Sequence, residues 1–141
     1  MTSPYIPIGL RRNVTERANH QCEYCQTQSR LVAQPLPVDH IFPVSLGGQT
    51  ELDNLCLACS PCNSHKTDKV EAIDPVTKQV VPLYNPRTDR WDDHFVWSED
   101  GTEIVGQTAT GRATVETLKM NRPHAVVSRT IWVMTGLHPP E

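Results

Sequence analysis

This sequence lacks the marks of a membrane or secreted protein. No apolar run approaches the ~18 residues that a bilayer-spanning helix needs, which excludes a transmembrane helix. The opening stretch Met1-Thr2-Ser3-Pro4-Tyr5-Ile6-Pro7 has neither a basic region nor a long apolar one, so no secretory leader is expected and the protein is read as cytoplasmic. Basic charge is not in excess: 13 Lys and Arg stand against 16 Asp and Glu, a net charge of −3, which argues against a strongly basic nucleic-acid binder. Aromatic residues are sparse, with three Trp, three Tyr and two Phe. What remains, 21% charged and 38% hydrophobic residues in 141, excludes a disordered chain and suits one domain or a small domain with an appendage.

Five cysteines are present, Cys22, Cys25, Cys56, Cys59 and Cys62. An odd number in an unsecreted chain disfavours a disulfide scaffold. Four of them form two C-x-x-C knuckles, Cys22-Glu23-Tyr24-Cys25 and Cys59-Ser60-Pro61-Cys62. A tetrahedral zinc ion takes four thiolates, and each knuckle delivers two at one corner. The 33 residues between Cys25 and Cys59 exceed a simple zinc ribbon, so a folded insert is expected between the knuckles. Reduced, unligated thiols and a redox C-x-x-C are the competing readings; two copies without a strand-helix thioredoxin pattern weaken the second. Cys56, in Leu55-Cys56-Leu57, falls outside the spacing and reads as a small buried hydrophobe. His20 beside the first knuckle reads as structural, and Asn13-Val14-Thr15 as a chance match to a glycosylation acceptor.

Pro7 to Asn19 patterns as a helix with Ile8, Leu10, Val14 and Ala18 near one face. Gln26 to Pro37 reads as a loop, and Val38-Asp39-His40-Ile41-Phe42-Pro43 as a short strand ended by proline. Gly47-Gly48 marks a tight turn, and Glu51-Leu52-Asp53-Asn54-Leu55 leads back to the second knuckle. A helix carrying Asn63-Ser64-His65-Lys66-Thr67-Asp68 starts inside that knuckle.

The order Val38-Asp39-His40-Ile41-Phe42-Pro43, Gly47-Gly48, Asp53-Asn54-Leu55, Cys59-x-x-Cys62-Asn63-x-x-Lys66 resembles the HNH endonuclease motif, over about Arg12 to Lys66. The resemblance implies a ββα-metal fold: two antiparallel strands and a helix around one divalent ion, with a four-cysteine zinc beside it. It makes His40 the general base, Asp39 and Asn63 the protein ligands of the catalytic ion, and Asn54 the residue that orients the base and braces the loop. The chemistry is consistent. Phosphodiester hydrolysis needs a base for water and a cation for the developing charge. His40 titrates near neutrality. Asp39, its neighbour on a strand, leaves the opposite face. Two oxygen ligands suit Mg²⁺ or Mn²⁺, with Ni²⁺ possible. Lys66, at i+3 from Asn63, is expected to offer its charge to a phosphate oxygen. The family name implies a final His where this chain has Asn63, a common variant; His65 is the rival ligand and is expected at the surface or phosphate side. Taken singly, an Asp-His pair, a capping Asn and a helical Lys are each ordinary. Their joint order between two knuckles favours the site.

From about Val70 the character changes. Ile73 to Val81 reads as a turn flanked by short strands, and Pro82 to Arg87 as a connector. His94-Phe95-Val96-Trp97 and Thr102 to Gly106 read as a hairpin around Asp100-Gly101. Thr110 reads as the N-cap of a helix Gly111 to Met120, and Pro123 opens another to about Thr135, before a tail from His138. The whole stretch from Asn85-Pro-Arg-Thr-Asp-Arg-Trp91 through Thr110-Gly-Arg-Ala-Thr-Val115 resembles a tail carried by a set of small bacterial HNH proteins. Arg87, Arg90 and Arg112 can line a phosphate groove, but salt bridges or solvation are the preferred reading for each. His94 reads as packed or surface, and Trp91 and Trp97 as core.

The expected fold is α+β, with an HNH core over residues 1–70 and an extension over 71–141 carrying hairpins and two helices. The expected function is metal-dependent hydrolysis of DNA, with RNA left open as a substrate. A zinc-stabilised nucleic-acid- or protein-binding module without turnover is the alternative, and a redox dithiol protein the third class. Residues 1–70 hold six basic and six acidic side chains and 71–141 hold seven and ten, so the negative charge lies in the extension. Attraction to nucleic acid then has to come from ions and a local groove, and is expected to be modest, salt-sensitive and metal-dependent.

Overall fold

The structure is a computed structural model and describes residues 5–140. The first four residues and Glu141, which carry parts of the expected N-terminal stretch and tail, lie outside the described residues. The architecture is α+β: five helices and three separate two-stranded antiparallel sheets among the described residues.

Helix α1 (Ile8–Arg17) enters after Pro7, whose fixed φ suits a helix start. It buries Val14 against Leu55 and Leu57, with Ile6 alongside. Ile8, expected on the buried face, is 71% exposed. Arg17 at the other end donates to the carbonyls of Leu52 (3.0 Å) and Leu55 (2.7 Å), pinning α1 to the insert. The first knuckle is a tight hairpin: Cys22 N–H donates to Thr27 O and Gln26 N–H to Cys22 O.

Strand β1 (Val38–His40) pairs with β2 (Leu55–Leu57), Asp39 opposite Cys56 and His40 opposite Leu55. β1 is shorter than the expected Val38 to Pro43, because beyond His40 the chain is held by Asn54 rather than by a partner strand. Helix α2 (Ser60–Lys66) follows directly, with Pro61 in its first turn, so the second knuckle and the helix share residues. It ends earlier than the expected Asp68, at Thr67, whose φ of 53° departs from the helix.

Beyond it, β3 (Glu71–Ile73) and β4 (Val80–Pro82) form one hairpin, and β5 (Phe95–Trp97) and β6 (Ile104–Gly106) another, closed through Gly101 at φ 75°. A four-residue helix α3 (Trp91–His94), absent from the sequence-based expectation, leads into β5. Helix α4 (Ala109–Thr117) is capped by Thr108 rather than Thr110: the Thr108 hydroxyl accepts from Gly111 N–H at 3.0 Å. Helix α5 (Pro123–Met134) closes the chain.

One buried cluster joins both halves, holding Cys22, Cys25, Cys59 and Cys62 together with Leu83, Tyr84, Phe95, Ile104, Leu118 and Met120. Trp91 and Trp97 are half-buried and pack against it, and Trp91 Nε1–H donates to Tyr24 O at 2.7 Å. Of the three arginines weighed for a phosphate groove, Arg87 is paired with Glu23, and Arg112 makes a two-point pair with Asp74 at 2.9 Å on each side. Arg90 is exposed and forms no ion pair among the described residues.

Candidate active site and metal centre

The two knuckles meet. The four sulfur atoms of Cys22, Cys25, Cys59 and Cys62 lie within 4.8 Å of one another, all buried, and can hold a metal ion. In this tightly coupled cluster, hydrogen bonds from Cys22, then Cys59 and Cys62, hold the Cys25 thiol down, while burial pushes Cys22 up and hydrogen bonding within the quartet pushes Cys62 up. Cys56 stays outside: burial pushes its thiol up to about 12, and it contacts Tyr24 Oη at 3.8 Å. Arg129 of α5, 1% exposed, donates to Met120 O and Thr102 O. Burial disfavours its charge, and the nearby Cys25, Cys62 and Cys59 favour it. A four-thiolate site holding a divalent ion is net negative, so a buried guanidinium is its natural neighbour.

The second cluster lies at the end of β1. His40 is 7% exposed, and its Nε2 is 2.9 Å from Thr50 Oγ1. Burial lowers its pKa, opposed by Asp39, with Lys66 lowering it further, so the ring is neutral at pH 7. Asp39 is half-buried, and its Oδ2 is sealed from solvent without a hydrogen-bond partner. Burial raises its pKa while the nearby Lys66 ammonium pulls it down. Asn54 is a clasp. Its Oδ1 accepts from Phe42 N–H, and its Nδ2–H₂ donates to Phe42 O and Gln49 O, all at 2.9 Å. It thereby ties the turn after His40 to the loop that carries Thr50. Gly48 completes the turn, because a Cβ there would run into the Phe42 carbonyl.

Asn63 is half-buried on α2, and its side-chain amide makes no hydrogen bond among the described residues. His65, two residues on, is exposed. Lys66 differs from expectation. Instead of facing a phosphate, it is 2% exposed and donates to His40 O (3.3 Å) and Ile41 O (3.1 Å), with its Nζ 3.6 Å from Asp39 Oδ2. Its position in the last turn of α2, under the end of β1, turns it inward. A buried carboxylate oxygen with no hydrogen bond, and its one ion-pair partner at 3.6 Å, fits a site for a second cation.

Residues 22–69 match the HNH endonuclease family model. The HNH segment therefore runs from the first knuckle to just past α2 and contains both clusters. No curated protein and no solved structure matches the chain.

Two contributors escaped the sequence reading. Thr50 is an unremarkable polar residue ten positions from His40, and only the Gly47-Gly48 turn brings it back. Glu23, inside the first knuckle, accepts from Leu57 N–H at 2.8 Å and pairs with Arg87. A carboxylate at the centre of a C-x-x-C turn was its one visible signal.

Proposed function

We propose that this protein is a divalent-metal-dependent endonuclease hydrolysing phosphodiester bonds in DNA, with a structural zinc ion on Cys22, Cys25, Cys59 and Cys62. The observation that carries the reading is the sealed Oδ2 of Asp39, which accepts no hydrogen bond, on the strand that also carries His40 inside the HNH segment.

Asp39 and Asn63 are the proposed protein ligands of a Mg²⁺-class ion, two oxygen donors with room for water and phosphate. A divalent ion held by them would supply positive charge for the phosphate oxygens in the transition state. In this reading the Thr50 hydroxyl, 2.9 Å from Nε2, accepts from Nε2–H, so that the lone pair lies on Nδ1. His40 Nδ1 makes no hydrogen bond among the described residues and takes the proton of the attacking water. Asn54 fixes the turn that follows His40. Lys66 acts as a positioning residue, holding the His40 and Ile41 carbonyls.

The test incubates plasmid DNA with protein and Mg²⁺, Mn²⁺, Ni²⁺ or EDTA. Wild type cuts with at least one metal and not in EDTA, and His40→Ala loses ~10²-fold or more of the rate at unchanged melting temperature. Equal DNA binding by both proteins with cutting by neither favours the module without turnover.

A further inference from the structure

A cleft of about 370 Å³ opens directly beyond the proposed catalytic turn. One wall is the HNH segment, with Phe42, two residues past His40, and Lys69; the other is the C-terminal half, with Tyr84, Asn85, His94 and Thr110. Its volume lies in the range of small-molecule sites. Resting on the nuclease reading above, we propose that this cleft takes the base of the nucleotide next to the scissile phosphate, turned out of its stack.

The walls have the composition that a base requires. Phe42 is 44% exposed and presents a ring for stacking. Tyr84 is 5% exposed, yet its hydroxyl has no partner among the described residues and is not sealed, so the space that it reaches is the cleft it lines. Burial, with Asp89 and Glu23, raises its pKa, so the hydroxyl stays neutral. His94 has Nδ1 occupied by Thr108 Oγ1 at 2.7 Å. That hydroxyl also accepts from Gly111 N–H at 3.0 Å, which fixes it against the ring. Nε2 has no partner among the described residues. The side-chain amide nitrogen of Asn85 and the Thr110 hydroxyl are likewise unengaged among the described residues. Tyr84, Asn85, His94 and Thr110, four groups able to hydrogen-bond, line the cleft with one exposed aromatic ring, while Lys69 on its wall offers a cation to the adjoining phosphate. A flipped base read by its edge and stacked on a ring uses these elements.

The test has two arms on the full-length, zinc-loaded protein. In the first, each of the four deoxynucleoside 5′-monophosphates is titrated against the imidazole C–H resonances of His94, with deoxyribose 5-phosphate and inorganic phosphate as controls. At least one nucleotide gives a saturable shift that the controls do not, and Tyr84→Phe and Thr110→Val each weaken it ~2–10-fold at unchanged melting temperature. No shift, or an equal shift with deoxyribose 5-phosphate, overturns the base site. In the second arm, an abasic position beside the cut raises KM in wild type ~10-fold or more. Undiminished cutting of the abasic substrate overturns the proposal while the nuclease reading stands. Nucleotide binding without cleavage of any DNA supports the cleft and overturns the nuclease reading.

Discussion

Lys66 turns a cation inward that a helix surface would ordinarily give to solvent. Its ammonium satisfies two carbonyls at the end of β1 and stands beside a carboxylate whose pKa burial raises and the ammonium lowers. Lys66→Met keeps the stem and removes the donor. It is expected to destabilise the fold by about 2–3 kcal/mol in urea unfolding, the cost of two unpaired buried acceptors, and to slow cleavage through the misplaced turn. The sequence made Asp39, His40 and the four cysteines legible because each sits in a short local pattern. Thr50 and the inward course of Lys66 were not legible, because both depend on which way a turn folds back and which face of α2 meets β1.

Among the elements, the β3–β4 hairpin is locked to α4 by a fully buried carboxylate. Asp74 is 0% exposed, accepts from Val76 N–H, Thr77 N–H and the Thr77 hydroxyl within its own turn, and pairs with Arg112 at two points. Arg112 first, then these local donors, hold it far below the ordinary carboxylate range. In the unfolded chain it titrates near 3.9. Below that pH the unfolded chain takes a proton that the folded one refuses, so the contribution is complete above about pH 4 and is lost as pH falls towards the folded value. Asp74→Asn is therefore expected to melt below wild type at pH 7, with the gap narrowing from pH 4 to pH 2. Helix α4 also approaches its neighbours without room for a side chain: a Cβ on Gly111 would strike the His94 carbonyl. Gly111→Ala is expected to lower stability by about 2 kcal/mol or more in thermal melts. Both hairpins were legible from turn residues. The expected cap, Thr110, lies inside α4, and Thr108, two residues earlier, caps it by accepting from Gly111 N–H. Helix α3 is a single turn, too short to leave a period in the sequence.

At the scale of the molecule, the cysteine quartet lies in the same buried cluster as Tyr84, Phe95 and Leu118, so its packing is shared by both halves. Removing the proposed zinc with a strong chelator is expected to release one ion per chain and to expose all five thiols to a thiol reagent, with loss of cooperative melting. Retention of a sharp transition after release would place the core's stability elsewhere.

Glu23 stands between the two cysteines of the first knuckle and touches β2 and Arg87 at once. A coupling free energy has no direction. Whatever factor the seated C-terminal half adds to the affinity of the knuckles for their ion, the bound ion adds to the seating of that half. A change at Glu23 is then expected to be felt on both sides of that junction, at the first knuckle and at Arg87 in the C-terminal half.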